Sequence, residues 1–276
     1  MAVAAVSAGL RGDTRTAAVS PEAAAAAQNV RVTELAVQDL RKSFSGVAVL
    51  KGVGFRVAAG EAVALIGANG SGKSTLLRCC LRLLEPDAGR VELLGEDVGR
   101  LQRAGLRRAR ARVGFVFQRH NLVPRLSALS NVLHGVQARR GGPRCWFQSL
   151  ARREDREEAL HCLDMVGLAD QAAQRADTLS GGQSQRVAIA RALMQRPRLV
   201  FADEPVASLD PAAGEEVMEL FVRLMRDEGV TLLFTSHHLR HALDYGDRLI
   251  ALASGVKVMD APTAGQSLEA LKSVYA

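Results

Sequence analysis

The chain has 276 residues, enough for one large or two small domains, and 48% of them are apolar, ample for a core. Its 36 lysines and arginines outnumber 29 aspartates and glutamates, for a formal net charge of +7. No apolar stretch approaches the ~18 residues that cross a bilayer as a helix, which leaves a soluble or peripheral protein.

Residues 1–31 are alanine-rich with scattered Ser, Thr and Gly, and they lack a sustained apolar face despite the run Ala23–Ala27. A disordered tail is expected there. The opening Met1–Leu10 has neither a basic start nor a long apolar centre, so no secretory signal is expected. From Val32 the pattern becomes short β-type runs, Val32–Val37, Ala48–Leu50 and Val53–Val57, separated by turns at Ser43–Gly46 and Ala58–Gly60. They read as an antiparallel subsheet. Phe44 falls in the first turn, where its ring stacks on a nucleotide base or packs in the core.

The apolar run Ala62–Ile66 leads into Gly67, Ala68, Asn69, Gly70, Ser71, Gly72, Lys73, Ser74 and Thr75, and then into an apolar helical stretch to Leu84. This is strand, glycine-rich loop, helix, with the P-loop spacing that converges backbone N–H groups on a polyphosphate. A Cβ at Gly67, Gly70 or Gly72 would oppose positive φ or block the approach of phosphate. Lys73 is placed to reach β- and γ-phosphates, and the Ser74 hydroxyl to ligate Mg²⁺.

Glu85–Gly89 reads as a turn and Arg90–Leu94 as a strand. An arginine-rich helix follows, with Arg100, Arg103, Arg107, Arg108, Arg110 and Arg112; Arg139, Arg140, Arg144, Arg152, Arg153 and Arg156 form a second basic stretch. These are solvated helix faces or surfaces for nucleic acid or anionic lipid. Few aromatics are interleaved, so stacking on single strands has little support. Val113–Gln118 is a buried strand that presents the Gln118 amide at its carboxyl edge, the side on which parallel α/β sheets bind ligands. There Gln118 touches Mg²⁺ or the attacking water, or is an ordinary strand-end residue.

From Asn121 to Leu179 the periodicity is helical, with helices expected over Ala128–Ala138, Arg153–Val166 and Ala169–Arg175. This looks like an inserted helical subdomain, broken at Gly141-Gly142-Pro143. Trp146-Phe147 belongs to a loop, a partner-facing surface or the core. Cys79, Cys80, Cys145 and Cys162 have no metal-ligand spacing and read as small apolar fillers. Leu179-Ser180-Gly181-Gly182-Gln183 opens a helix over Gln185–Gln195, with Ser180 placed as a cap and two glycines exposing backbone donors, a second anion-binding helix start.

Leu199–Ala202 is an apolar strand ending in Asp203-Glu204-Pro205. Asp203 is placed for the Mg²⁺ shell and Glu204 to polarise a water for attack on a γ-phosphate. Ser208-Leu209-Asp210-Pro211 makes a turn before the helix Ala212–Arg226, and Thr231–Phe234 is a strand that ends at Thr235-Ser236-His237-His238. A histidine at that edge donates to a γ-phosphate oxygen, or caps a helix. A final strand pair, Leu249–Ala253 and Val256–Met259, and a short helical tail close the chain.

The set Gly67–Thr75, Gln118, Leu179–Gln183, Phe201–Glu204, Ser208–Asp210 and His237 resembles, in type and order, that of the ATP-binding cassette ATPases. The resemblance covers Val32 to Leu271 and implies an α/β fold: a P-loop NTPase core with an antiparallel β-subdomain and an inserted helical subdomain. The implied division is a core of residues 32–118 and 186–259, a helical signature subdomain of 119–185, and a tail of 272–276. It implies Phe44 as the adenine-stacking aromatic, Gln118 as the loop that senses a membrane partner, Glu204 as general base and His237 as switch. Ser180, Gly181, Gly182, Gln183 and Asp210 would meet nucleotide from the other side, with ATP and Mg²⁺ as cofactors.

The stretch Phe117–Gly135, with Arg175–Gln183 and Ala202–Pro211, is similar to the phosphonate-import ATPase subfamily. That likeness implies an importer ATPase peripheral to the cytoplasmic face of the membrane. Its partners would be transmembrane permease subunits, a second ATPase copy paired head-to-tail and a substrate-binding protein outside, with no nucleic acid. Other small anions or polar amino acids are the alternative cargo, and a non-transport mechanical ATPase is the alternative class. Two departures stand out: Ser184 replaces the Gln expected after the signature, and Arg240 stands where an acidic residue often follows the switch histidine.

Overall fold

The computed structural model describes residues 32–140, 142 and 148–275. The expected tail of residues 1–31 and the Trp146-Phe147 pair lie outside the described residues.

Two sheets organise the chain. In the first, β1 (Thr33–Phe44) and β2 (Val47–Ala58) form a hairpin, and β4 (Ala88–Leu93) and β5 (Glu96–Asp97) extend it in the order β2-β1-β4-β5, antiparallel throughout. The sequence reading ends β1 at Val37 and cuts β2 in two; both strands are continuous. The ladder passes through polar positions by shifting register between Val37 and Leu40, where Asp39 adopts φ +43°, and again between Leu40 and Arg41, where Gly52 sits at +97°. The turn is therefore only Ser45-Gly46, both at positive φ as a two-residue hairpin loop demands, and Phe44 is the last residue of β1 rather than part of the turn.

The second sheet holds β3 (Ala62–Ile66), β6 (Val113–Val116), β7 (Leu199–Ala202), β8 (Thr231–Ser236), β9 (Arg248–Ala253) and β10 (Val256–Pro262) in the order β10-β9-β3-β8-β7-β6. All pairings are parallel except that of the edge strand β10. Its strands read as unbroken apolar runs because the sheet is covered on both faces. Ala64, Ile66, Val200, Ala202, Leu232 and Phe234 face a core shared with the helices, whereas Val63, Leu65, Phe201, Leu233 and Ile250 face a core shared with the first sheet. Phe201 and Phe234 are fully buried, and each such side chain contributes roughly 1.5–3 kcal/mol.

The helices are α1 (Lys73–Cys80), α2 (Arg103–Ala111), α3 (Ala128–Leu133) running on as a 3₁₀ turn His134–Ala138, α4 (Arg153–Met165), α5 (Gly181–Leu193), α6 (Pro211–Asp227), α7 (Leu239–Tyr245) and α8 (Leu268–Tyr275). Helix α1 packs in the core beneath the first sheet, and α3 to α6 supply the other core. Helix α5 is continuous across residues 185 and 186. The helix expected over Ala169–Arg175 does not form. Its segment is a chain of turns, because the carbonyls of Ala172 and Gln174 accept the Leu129 and Ala128 amides and so satisfy the N-terminus of α3. Cys79, Cys80 and Cys162 are buried free thiols; burial pushes Cys79 up to about 11 and Cys162 up to about 12, and raises Cys80 as well. No helix among the described residues is long and apolar enough to cross a membrane.

Candidate functional site

Strand order builds the site. β3, β8, β7 and β6 are consecutive neighbours and parallel, so the residues that follow them emerge at one edge. Those residues are the P-loop after Ile66, His237 after Ser236, Asp203-Glu204 after Ala202 and Gln118 beyond Val116. The register is one-to-one: Ile66 faces Ser236, Ala202 faces Phe234, and Val116 faces Ala202.

The loop after β3 is held in its cradle by glycines. Gly67, Gly70 and Gly72 have φ of +154°, +81° and +105°, and a Cβ on Gly67 would stand 2.4 Å from the Leu252 carbonyl oxygen. Within the cradle the buried Ser71 hydroxyl has no hydrogen-bond partner among the described residues. The Lys73 ammonium, itself buried, donates to the Gly67 and Ala68 carbonyls at 2.7 and 3.2 Å and lies 3.8 Å from Glu204 Oε1. Burial holds this ammonium below the ordinary lysine value, against the opposing pull of Glu204 and Asp203. An orphaned hydroxyl and a lysine folded onto its own loop fit an anion that would take both as donors. A polyphosphate meets that description.

Beside it, Ser74 Oγ donates to Asp203 Oδ1 at 2.8 Å, and Thr235 Oγ1 donates to the same oxygen at 3.1 Å. Thr235 Oγ1 also accepts the Glu204 amide at 2.7 Å. Asp203 is buried, and a hydroxyl plus one carboxylate is the oxygen set that suits Mg²⁺, which completes its shell from phosphate and water. Among the described residues no three His, Cys, Asp or Glu cluster to hold a metal by themselves. Gln118 lies on the same edge, exposed, two residues beyond β6, and makes no hydrogen bond to the described residues. Its loop is pinned elsewhere: Arg191, in the last turn of α5, donates to the carbonyls of His120 and Asn121 at 2.9 and 2.7 Å.

Glu204 adopts φ +49°, rare for a residue with a long side chain, and its carboxylate stands between Lys73 and His237, whose Nδ1 is 3.8 Å from Glu204 Oε2. Burial and the neighbouring His238 hold His237 below the ordinary histidine value, outweighing the attraction of Glu204. His237 is accordingly neutral near pH 7. Phe44 is half-exposed at the tip of the hairpin, with Lys42 Nζ 5.4 Å from its ring centroid, and β2 touches the loop where Val49 and Leu50 crowd Gly72. A flat face is thus offered beside the cradle.

Ser180, Gly181, Gly182, Gln183 and Asp210 are gathered elsewhere. They line a cavity of about 480 Å³ with Arg186 and Leu209, and no residue of 67–75 lines it. Ser180 caps α5 by a capping box, accepting the Gln183 amide while Gln183 Oε1 accepts the Ser180 amide. Asp210 caps α6 by accepting the Ala213 amide. Sequence reasoning misses Thr235 and Arg191. A hydroxyl at the carboxyl end of an apolar strand marks Thr235 as polar and buried, but only the register of β7 and β8 sets it beside Asp203.

A family model described as ABC transporter matches residues 50–207. The phosphonates import ATP-binding protein PhnC 2 of Oceanobacillus iheyensis is 42% identical over 248 residues, which cover 88% of this chain and 96% of that protein. The phosphate-import ATP-binding protein PhnC of Mycolicibacterium smegmatis is 48% identical over 238 residues, 86% of this chain and 90% of its own length. Among solved structures, the dimeric post-hydrolysis state of the ATP-binding cassette MJ0796 bound to ADP and Pi is similar with a TM-score of 0.74 at 34% identity, covering 84% of this chain and 100% of that one.

Proposed function

The chain belongs to the ABC transporter family, and from that premise we propose that it is the ATPase subunit of an importer for phosphonates or phosphate esters, working at the cytoplasmic face of a membrane. The observation that carries the catalytic part is the convergence of Lys73, Ser74, Asp203, Glu204 and His237 at one edge of a parallel sheet. Lys73 and the Gly67–Thr75 backbone bind the β- and γ-phosphates, and Phe44 stacks on the adenine. Ser74, Asp203 and Gln118 would hold Mg²⁺, which would neutralise charge on the phosphates.

Glu204 accepts the proton of the attacking water. Its position is set by the Thr235 hydroxyl on its amide, and Lys73 Nζ stands 3.8 Å from its carboxylate. His237, neutral, donates one hydrogen bond toward the γ-phosphate. Ser180 to Gln183 and Asp210 complete the site of a second copy. Permease subunits in the membrane and a binding protein outside it supply the path and the selectivity.

The cargo assignment rests on relatives and on the likeness of Asn121–Gly135, the stretch next to the pinned Gln118 loop. Arg119, Leu122, Val123 and Arg125 are the residues we place against the permease. A second reading, import of inorganic phosphate, is favoured by the Mycolicibacterium smegmatis relative. Deleting the gene separates the two. Loss of growth on a phosphonate as sole phosphorus source, with normal growth on phosphate, supports the first reading; impaired high-affinity phosphate uptake with phosphonate growth intact supports the second.

A further inference from the structure

His237 is the first ring of a ladder whose other members the reaction above does not use. The His237 and His238 ring centroids are 4.0 Å apart, those of His238 and His241 5.1 Å, and those of His241 and Tyr245 5.9 Å. The spacing of three and four residues along α7 puts the last three on one helical face. The far end is anchored by Glu215, in the second turn of α6. Its Oε1 lies 3.0 Å from His241 Nε2, and its Oε2 accepts the Tyr245 hydroxyl at 3.1 Å.

His241 is 5% exposed, although a buried imidazole facing a carboxylate is a costly filling for a slot that an aliphatic side chain would occupy without penalty. Its other nitrogen lies 3.5 Å from Ser236 Oγ, and that hydroxyl clamps the next turn by donating to the His238 carbonyl and accepting the His238 amide. Behind Glu204, Ser236, His237, His238 and His241 also line a cavity of about 10 Å³, the size of a single water. Both ends of the ladder are therefore fixed, one by Glu215 on α6 and the other by the end of β8. His237 itself is 40% exposed, and among the described residues this stack and Glu204 are what set its orientation.

We propose that Glu215 and His241 are positioning residues that hold His237, through the His238 ring and the Ser236 clamp, in register with Glu204. Because α6 is capped by Asp210, the same ladder ties the Asp210 turn of a chain to its own hydrolytic edge. This rests on the reading of His237 as the residue that faces the γ-phosphate.

The test is steady-state ATPase kinetics of the full-length protein with Glu215→Ala, Glu215→Gln, His241→Leu and His237→Ala. Glu215→Ala and His241→Leu are expected to lower kcat by on the order of 10²-fold, the loss that a ~1 Å misplacement remote from the chemistry can cause, with KM for ATP unchanged. Glu215→Gln still accepts from His241 and should recover most of the rate. Parent-like kcat in both Glu215→Ala and His241→Leu, while His237→Ala is inactive, overturns the positioning role and leaves the His237 reading intact. Parent-like kcat in His237→Ala overturns both. Loss of Tm and a raised KM together with kcat would mark a general packing role and also overturn the proposal. Should His241→Leu not fold, Glu215→Ala decides alone, because the Glu215 side chain is 54% exposed.

Discussion

Glu204 joins a left-handed backbone to a carboxylate held between a buried lysine and a neutral histidine. A strained residue with a defined job predicts a separation of binding from chemistry. Glu204→Gln keeps size and hydrogen-bond capacity, so nucleotide binds while hydrolysis falls by about 10²–10⁴-fold; Lys73→Ala weakens nucleotide affinity itself. Equal turnover by the Glu204→Gln protein would assign the base elsewhere. His237 carries a pH prediction. Its folded value is lowered, chiefly by burial, so just below the ~6.5 of an unfolded histidine the unfolded chain binds more protons than the folded one. Stability contributed by this residue is present above ~6.5 and is lost as pH falls toward the folded value. The Tm of the nucleotide-free protein should drop between neutral and mildly acidic pH, and by less in His237→Gln; an identical drop in both proteins would remove His237 as its source. Lys73, Ser74, Asp203 and Glu204 were legible in the sequence because each sits within a short motif next to an apolar strand. Thr235, Arg191 and His241 were not, because their partners lie 31, 70 and 26 residues away and only the sheet register or helix packing brings them together.

Helix α5 joins two functions that the sequence presents as separate. Its N-terminus carries the Ser180 capping box, and roughly 16 Å further on, at 1.5 Å per residue, Arg191 grips the carbonyls of His120 and Asn121, just beyond Gln118. Burial holds that guanidinium below its ordinary value, and no carboxylate compensates it among the described residues, so its desolvation is offset mainly by the His120 and Asn121 carbonyls. Hydrogen bonds to a charged group contribute roughly 1.5–3 kcal/mol each, so Arg191→Met, which keeps the stem, should accelerate amide exchange in residues 118–126 by ~10-fold or more. Exchange in β6 should stay slow. Unaltered exchange in 118–126 would show that the loop is held by other contacts. The elements that reading the sequence missed share one cause. Periodicity breaks β1 and β2 at polar residues that a bulge absorbs, and it suggests a helix over Ala169–Arg175, whose Ala172 and Gln174 carbonyls are committed to α3. Periodicity reports which side chains face a core, and it does not report to whom a backbone group is bonded.

At the scale of the molecule, the two anion-binding surfaces do not share a lining. The cradle of Gly67–Thr75 opens at the edge of the parallel sheet, and the cavity of about 480 Å³ around Ser180, Gly181 and Asp210 draws no residue from it. On the function proposed here, a single chain offers half of a nucleotide site twice, in complementary halves. Head-to-tail pairing of two copies satisfies both at once, and a twofold axis then closes the assembly with two equivalent sites. The similar cassette MJ0796 is dimeric with ADP and Pi bound. Shared sites predict complementation that a monomeric site cannot produce. A Lys73→Ala chain lacks the phosphate-binding half and a Ser180→Arg chain lacks the other, so each alone should neither dimerise on ATP nor hydrolyse it. In their mixed dimer both lesions fall on one site, and the second site receives an intact cradle from one chain and an intact α5 terminus from its partner. Mixing the two proteins should restore ATP-dependent dimers by sedimentation, with a fraction of the parent hydrolysis. If the mixture stays monomeric while the parent protein dimerises under the same conditions, each chain must build its nucleotide site from its own residues, and the cavity at Ser180 must serve some other ligand.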